Sequence, residues 1–398
     1  MLVTLLAFLT AMITTGMSSA IAHPLTIVGG SVVSLLMAAF AIVRPDTRVY
    51  GTFVVGSLVM TVLALVSAQA NYCVESSTFH VLCCYLALLG MGFSSVHLTS
   101  FCKQLMLMTN LWLTAWVVIL GTQVEVFEAW KISNPAGAGN QMAAQINMTM
   151  PMVIASATTG GLLRRSAFSG LVCLNVLAVF LVMSRNGIAT MLILLALYFM
   201  FNYKRWSVLV IALVLFVAMF PEYVLQNPTI RAVLVRFRFL EYDPTAPRSV
   251  IWEVALQYIR EQPFLGVGPG RTRVALAVLD INHAHNNWIQ VAIDTGLPSA
   301  CLYLLMTIAL LILPASALFR ERHVFLPTLG ILAYFSYSMT AGPVVYPNAT
   351  LLLAACVNQA RVASDSDRMR MKVGAGGGRS MTRGPFQVGT PGFVRSAG

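Results

Sequence analysis

Apolar residues lie along the chain in long runs rather than in alternation with polar ones. Runs of roughly 17 or more residues, enough for a helix to cross a hydrocarbon core about 30 Å thick, recur from Met1 to Ala360. Membrane strands would instead show short alternating segments. The pattern predicts an all-α polytopic membrane protein with about twelve transmembrane helices. The predicted spans are 2–22, 25–43, 50–69, 79–99, 104–121, 143–163, 166–184, 187–202, 206–221, 289–314, 324–342 and 346–360.

The composition agrees with a membrane environment. Of the 398 residues, 58% are apolar and only 10% are charged, whereas soluble domains carry about a quarter charged residues. The seven cysteines have no CxxC spacing, so neither a disulfide framework nor a zinc site is expected.

A net charge of +11 invites a nucleic-acid interpretation. Seven of the 25 basic residues, however, lie in residues 361–398. This segment is rich in glycine and has no apolar period, so we expect a disordered tail. A basic tail beside an anionic leaflet anchors topology through contacts with membrane lipids. No nucleic-acid partner is expected.

The positive-inside rule assigns the two faces of the bundle. Loops after even-numbered predicted helices carry these basic residues: Arg44, Arg48, Lys103, Arg164, Arg165, Lys204, Arg205, Arg320 and Arg322. Both termini are therefore predicted to be cytoplasmic. The predicted organisation is 1–221 with nine helices, 222–287 as one large external loop containing short helices, 288–360 with three helices, and 361–398 as the cytoplasmic tail. Within the loop, residues 249–261 are predicted to form a helix whose one face, against the membrane or the bundle, carries Ile251, Val254, Ala255, Tyr258 and Ile259.

Two groups of arginines break this rule. Arg185 lies at the external turn between the seventh and eighth predicted helices. The large loop holds arginines but no lysine, namely Arg231, Arg236, Arg238, Arg248, Arg260, Arg271 and Arg273. The guanidinium fork binds phosphate oxygens in pairs, which lysine cannot do. Alternatively, these arginines pair with the acidic residues of the same loop, an explanation that does not extend to Arg185.

A histidine motif precedes the tenth predicted helix. It reads His283-Ala284-His285-Asn286-Asn287-Trp288, and Trp288 suits the membrane interface. The motif is predicted at headgroup depth on the external face, like Arg185. Imidazole titrates near neutrality and can accept a proton from a hydroxyl. An interfacial histidine can also be a simple polar anchor.

Other kinds of chemistry have weaker support. The one Asp-x-Asp pair, Asp365-Ser366-Asp367, falls in the predicted cytoplasmic tail. The glycine run 266–270 lacks the strand and helix of a phosphate-binding loop, and we interpret it as a turn that positions Arg271 and Arg273. Proton-coupled transport needs acids inside membrane helices. All fourteen acidic residues fall in loops, in the tail or at helix ends, with Asp294 closest to a helix interior.

Four motifs in residues 165–345 resemble the O-antigen ligase superfamily. They are Ser184-Arg185-Asn186-Gly187; Arg248 four residues before Trp252; Pro263-Phe264-Leu265-Gly266-Val267-Gly268; and Ala284-His285-Asn286 followed by Gly296. Leu297-Pro298-Ser299 departs from the family pattern, in which a second glycine is common.

The resemblance implies an inverting glycosyltransferase in the inner membrane of a Gram-negative bacterium, with its active site facing the periplasm and no metal or cofactor. His285 would be the catalytic base. Arg185 and Arg248 would hold the diphosphate of an undecaprenyl diphosphate-linked glycan, assisted by Arg236, Arg238 and Arg271. His283, Asn286, Trp288 and Gly296 would support the site. The acceptor would be lipid A-core for a ligase. A polymerase of the same superfamily and a non-enzymatic glycan-lipid flippase remain alternatives.

Overall fold

The computed structural model describes the backbone over most of the chain. The described residues are 2–15, 22–44, 46–73, 76–121, 139–159, 161–182, 184–202, 246–279, 281, 283–317, 322–339 and 347–376. Arg185 is described by its backbone alone. The predicted ninth span, 206–221, lies outside these residues, as do Arg231, Arg236 and Arg238 of the large loop.

The described chain is mostly helical, as predicted. Its first half contains α1 (Leu2–Thr15), α2 (Ala22–Ile42), α3 (Gly51–Ala70), α4 (Ser76–Ala87), α5 (Val96–Gly121), α6 (Gly139–Ala157), α7 (Leu162–Leu181) and α8 (Arg185–Asn202). Its second half contains α9 (Ala246–Glu261), α10 (Thr272–Ala275), α11 (Asn287–Ala317), α12 (Arg322–Ser338) and α13 (Pro347–Gly376). Two short strands, β1 (Arg48–Val49) and β2 (Phe93–Ser94), pair antiparallel.

Four helical segments in the described part of the chain are long and apolar enough to cross a membrane. They are Gly51–Ala70, Val96–Ile119, Leu162–Leu181 and Asn287–Leu313. Shorter apolar helical segments occur at Leu2–Met12, Val28–Ile42, Val81–Gly92 and Asn186–Phe201. These segments support a multi-pass membrane protein. The count of twelve crossings remains a prediction.

The fourth predicted span, 79–99, is wrong at its C-terminal end. Helix α4 passes into a 3-10 turn over Leu88–Gly92, and the chain then forms β2 before α5 begins at Val96. The Oγ of Ser95 accepts a hydrogen bond from His97 N at 3.2 Å, so Ser95 caps α5. Asp46 accepts from Val96 N at 2.9 Å. These polar contacts end a run of apolar residues that hydrophobicity alone predicts to be one continuous helix.

The last helix also extends further than predicted. Residues 361–376, which we expected to be disordered, continue α13. Arg361 explains the extension, because it is only 5% exposed and donates to Met91 O at 2.6 Å. Its guanidinium lies 3.4 Å from the Tyr50 ring centroid. Asp365, one turn later, pairs with Arg48 at 2.7 Å.

Inter-helix contacts place the connecting segments at two ends of the bundle. At one end, the α3–α4 connection contacts the glycine run of the large loop through Asn71 Nδ2 and Gly266 O, 3.2 Å apart. At the other end, β1 and β2 join the α2–α3 and α4–α5 connections. The loops that the positive-inside rule assigns to one face therefore meet one another. We call the end that carries His285 the histidine end.

Candidate active site

The glycine run forms a turn that packs against a break in α11. Gly266, Gly268 and Gly270 all have positive φ, at 64°, 108° and 74°. Gly296 interrupts α11 with φ 86° and ψ 170°. The freed backbone groups pair with the loop. Val267 N donates to Ile293 O at 2.8 Å, and Leu297 N donates to Pro263 O at 2.7 Å. The prediction of a turn at residues 266–270 is confirmed.

The turn and the break approach so closely that both central residues must be glycine. A Cβ on Gly266 would overlap Ile293 O, and a Cβ on Gly296 would overlap Phe264 O. Two separate motifs of the sequence, the glycine run and Gly296, are thus two sides of one contact. Their role in the described structure is to hold the loop before His285 against α11.

The turn is also tied to α3. The hydroxyl of Ser67 donates to Leu265 O at 2.5 Å, and Asn71 reaches Gly266 O as described above. A helix break inside a membrane bundle is tolerated where neighbouring groups satisfy the freed backbone, which is the case here.

His285 occupies a strained position at the end of this loop. Its φ is 53°, a left-handed conformation that is uncommon for residues other than glycine and typical of constrained sites. The ring is half-buried and lies 6.2 Å, centroid to centroid, from the perpendicular ring of His283. Burial, the neighbouring His283 and the positive charge of Arg248 together lower the pKa of His285 below its ordinary value. This shift favours the neutral ring, which can accept a proton.

The residues that follow His285 start α11. The Oδ1 of Asn286 accepts hydrogen bonds from Trp288 N at 3.0 Å and Ile289 N at 3.2 Å, so Asn286 is the helix cap. The indole of Trp288 packs edge-on against Phe335 of α12, with centroids 5.7 Å apart. Asn287 is completely buried and donates to Tyr303 OH and Ser338 Oγ.

Arg248 reaches the histidine motif from α9. The prediction of an amphipathic helix over residues 249–261 is confirmed, because α9 buries Ile251, Ala255 and Ile259. Arg248 is half-buried at its N-terminal end and acts electrostatically on His285. One turn later, Trp252 Nε1 donates to Ala284 O at 2.9 Å. Helix α9 thus brings an arginine and a tryptophan to the histidine loop.

Arg185 begins α8 at the same end of the bundle. Thr190 of α8 contacts Ser336 Oγ at 2.7 Å, and Ser338, half a turn along α12, accepts from Asn287. The first turn of α8 is fixed by α6: Ser184 contacts Asn140 Oδ1 at 2.7 Å, and Asn147 donates to Gly187 O at 2.8 Å. The backbone of Arg185 is thereby linked to the histidine end.

The arginines after Arg248 that were predicted to bind phosphate lie in different surroundings. Arg271 lies half-buried beside Gly268 at the start of α10, and Arg273 is exposed. Arg236 and Arg238 fall outside the described residues. Within the described ranges, no group of three His, Cys, Asp or Glu side chains is arranged to hold a metal ion.

Sequence reasoning missed a buried polar cluster beneath the loop, formed by Thr272, Gln290 and Asp294. Each of these side chains is at most 3% exposed. The Oδ1 of Asp294 accepts from Thr272 N and Oγ1 at 3.2 and 2.7 Å. Gln290 Nε2 donates to Asp294 Oδ2 at 2.9 Å. The available signal was the spacing of Gln290 and Asp294, four residues apart and hence on one helix face.

Helix α6, whose first residues contact the start of α8, is also unusually polar. Residues 141–154 of α6 are all buried, although they include Gln141, Gln145, Asn147 and Thr149. Asn110 of α5 donates to Thr149 Oγ1 at 3.0 Å. Polar groups inside a membrane bundle are costly and are commonly tied to function. In the sequence, Asn147 and Thr149 dilute the apolar pattern of the sixth predicted span, 143–163.

One family model matches the segment of the chain that includes the candidate site residues. Residues 170–304 match the family model described as O-antigen ligase. No curated protein sequence matches the chain. The match begins in α7, includes Arg185, Arg248, His285 and Gly296, and ends in α11. It confirms the resemblance to the O-antigen ligase superfamily.

Proposed function

We propose that this chain, whose residues 170–304 are similar to the O-antigen ligase family, is an O-antigen ligase of the inner membrane. It would transfer a glycan from undecaprenyl diphosphate to a sugar hydroxyl of lipid A-core on the periplasmic face. Under the proposed topology, the histidine end faces the periplasm and both termini are cytoplasmic. The lipid diphosphate and the acceptor then meet at headgroup depth, beside the loop that ends at His285.

One observation carries the proposal. His285 is held in a left-handed conformation, and its pKa is lowered by burial first, then by His283 and by the positive charge of Arg248 on a separate helix. A neutral imidazole beside a permanent positive charge is the pair that glycosyl transfer from a diphosphate needs. The base accepts a proton, and the cation stabilises the negative charge of the leaving diphosphate.

The proposed reaction is a single inverting displacement. His285 takes the proton from the acceptor hydroxyl as its oxygen forms a bond to the anomeric carbon. The bond from that carbon to the diphosphate oxygen breaks, and the electron pair leaves with the diphosphate. Arg185 and Arg248 hold the diphosphate, with Arg236, Arg238 and Arg271 as further candidates. A diphosphate is already a good leaving group, so orientation and charge stabilisation suffice in this proposal without a metal.

The first experiment is the lipopolysaccharide banding pattern of a strain lacking the gene. The strain re-expresses the intact protein, His285→Ala or the control His97→Ala at equal membrane abundance. His97 is a suitable control because it lies at the opposite end of the bundle, with its side chain 55% exposed. We expect the deletion to give unsubstituted core while glycan accumulates on the lipid carrier. His97→Ala should restore long chains, and His285→Ala should not.

The other outcomes identify the alternatives. Core that bears a single repeat unit would show that the protein is a polymerase, which uses a second lipid-linked glycan as its acceptor. Full restoration by His285→Ala would contradict the assignment of the catalytic base. Loss of glycan from the periplasmic face, with equal activity of the His285→Ala and His97→Ala proteins, would indicate a flippase.

A further inference from the structure

The residue before His285, Ala284, is held through both of its backbone polar groups. Ala284 is completely buried. Its N–H donates to Gln290 Oε1 at 3.0 Å, and its carbonyl accepts from Trp252 Nε1 at 2.9 Å. The two holding groups come from different elements, α11 and α9. The backbone therefore enters His285 in one fixed orientation.

A buried carboxylate sets the direction of the Gln290 amide. Both carboxyl oxygens of Asp294 accept hydrogen bonds. Its Oδ2 faces Gln290 Nε2 at 2.9 Å, and its Oδ1 accepts from Thr272 Oγ1, which itself accepts from Gln290 Nε2 at 2.5 Å. Since the NH₂ group must point toward Asp294 and Thr272, the oxygen of Gln290 must point toward Ala284 N. A flipped amide would place oxygen against oxygen.

This arrangement holds a conformation that the backbone does not favour. His285 has φ 53°, and such a residue keeps its conformation only where the surroundings fix it. The titratable and charged groups that act on the ring are His283 of the same loop and Arg248 of α9. The position of the loop determines how deeply the His285 ring is buried and how close that ring lies to His283 and Arg248.

We infer that Gln290 is a positioning residue for His285, that Asp294 and Thr272 fix the orientation of its amide, and that Trp252 holds the carbonyl of Ala284, the residue whose N–H Gln290 holds. The catalytic consequence of this inference rests on the proposed function, whereas its structural part does not. Gln290 touches the loop backbone and is buried beneath it, so it acts through His285.

The test measures the pKa of His285 directly, by NMR of the detergent-solubilised full chain carrying ¹³C-labelled histidine. His285→Ala assigns the resonance among the six histidines. We expect Gln290→Met to raise the pKa of His285 toward its ordinary value, because a released loop exposes the ring to water. The control is Gln257→Met on the exposed face of α9, where the amide contacts Glu261 at 3.0 Å. It should leave the pKa of His285 unchanged.

A charge swap tests the amide direction and covers the case in which Gln290→Met does not fold. Gln290→Glu alone places two carboxylates against each other and should shift the His285 resonance. Combining it with Asp294→Asn should restore the wild-type pKa. In the double variant, the new amide at position 294 would donate to the new carboxylate at position 290, whose other oxygen still accepts from Ala284 N. Failure of the double variant to restore the pKa, when it folds like the wild type, would overturn the inference.

Transfer kinetics give the second measurement, with undecaprenyl diphosphate-linked glycan and lipid A-core as substrates. A misplacement of about 1 Å costs roughly a hundredfold in rate. We therefore expect Gln290→Met to lower kcat by that order, leave KM for the donor unchanged and move the acid limb of the pH profile with the NMR pKa. A wild-type pKa and kcat in folded Gln290→Met would refute positioning. If no chain transfers glycan but the pKa shifts occur, the proposed function fails and the positioning stands.

Discussion

Replacing Gly296 by alanine tests the contact between the glycine run and the break in α11, which holds the loop before His285. Its φ of 86° and ψ of 170° lie in a region used almost solely by glycine, where another residue costs about 1–3 kcal/mol. The new Cβ would also overlap Phe264 O and push the loop away from α11. The two backbone hydrogen bonds that join them are each worth about 0.5–1.5 kcal/mol.

The expected loss of stability from Gly296→Ala is the sum of these effects. It comes to about 2–6 kcal/mol, a large part of the 5–15 kcal/mol that stabilises a typical folded protein. The matched control is Gly170→Ala in the interior of α7, where a Cβ meets nothing within 4 Å. Alanine there should stabilise the helix by about 0.5–1 kcal/mol.

Thermal unfolding of the detergent-solubilised protein, followed by size-exclusion chromatography of a fluorescent fusion, measures both variants. We expect a lower midpoint for Gly296→Ala than for the wild type, and an equal or higher midpoint for Gly170→Ala. If the two variants unfold at the same temperature, the close contact between the glycine run and the break in α11 does not exist.

Three further predictions follow from the described contacts. The folded pKa of His285 is below its ordinary value, so the base form of the ring persists as the pH falls. The fall of kcat/KM on the acid side of the pH profile should therefore have its midpoint below about 6.5. A midpoint above that value would contradict the role of His285 as the base. Arg248→Ala should strongly reduce glycan transfer and raise the pKa of His285. The control is Arg260→Ala, at an exposed position of the same helix, which should change neither quantity. Equal effects of the two substitutions would refute the role of Arg248. Asp365→Ala should cost less than about 1 kcal/mol in thermal unfolding, since its ion pair with Arg48 is partly exposed; a larger loss would show that the pair anchors α13.

The sequence predicted the helices best where one apolar face decides the structure. Helix α9 is the clearest case, since Ile251, Ala255 and Ile259 were expected on one face and are buried. Prediction failed where polar contacts override an apolar run. The chain breaks between α4 and α5 because Asp46 and Ser95 satisfy the N-terminus of α5. The Ser95 contact is local, whereas the Asp46 contact joins residues that are distant in sequence.

The sequence predicted the candidate site residues His285 and Arg248, but not the buried residues that hold the loop of His285 in place. His285 and Arg248 stood out because of their position and charge, and the helix of Arg248 contacts the loop of His285 through Trp252 and Ala284. Gln290 and Thr272 did not stand out, and Asp294 stood out only as the acid closest to a helix interior. The spacing of Gln290 and Asp294 shows a shared helix face, but their contact with Thr272 joins α10 to α11 and is encoded by no local pattern. The pairing of Gly266 with Gly296 was hidden for the same reason.

The most direct test of the account is glycan transfer by the purified protein in proteoliposomes that contain undecaprenyl diphosphate-linked glycan and lipid A-core. The wild type and His97→Ala should both convert the core to a glycan-bearing product with inverted anomeric configuration. The His285→Ala protein, equally folded and still able to bind the donor, should form almost none. Product formation by His285→Ala at the wild-type rate, or retention of configuration, would contradict the central claim that His285 is the base of an inverting displacement.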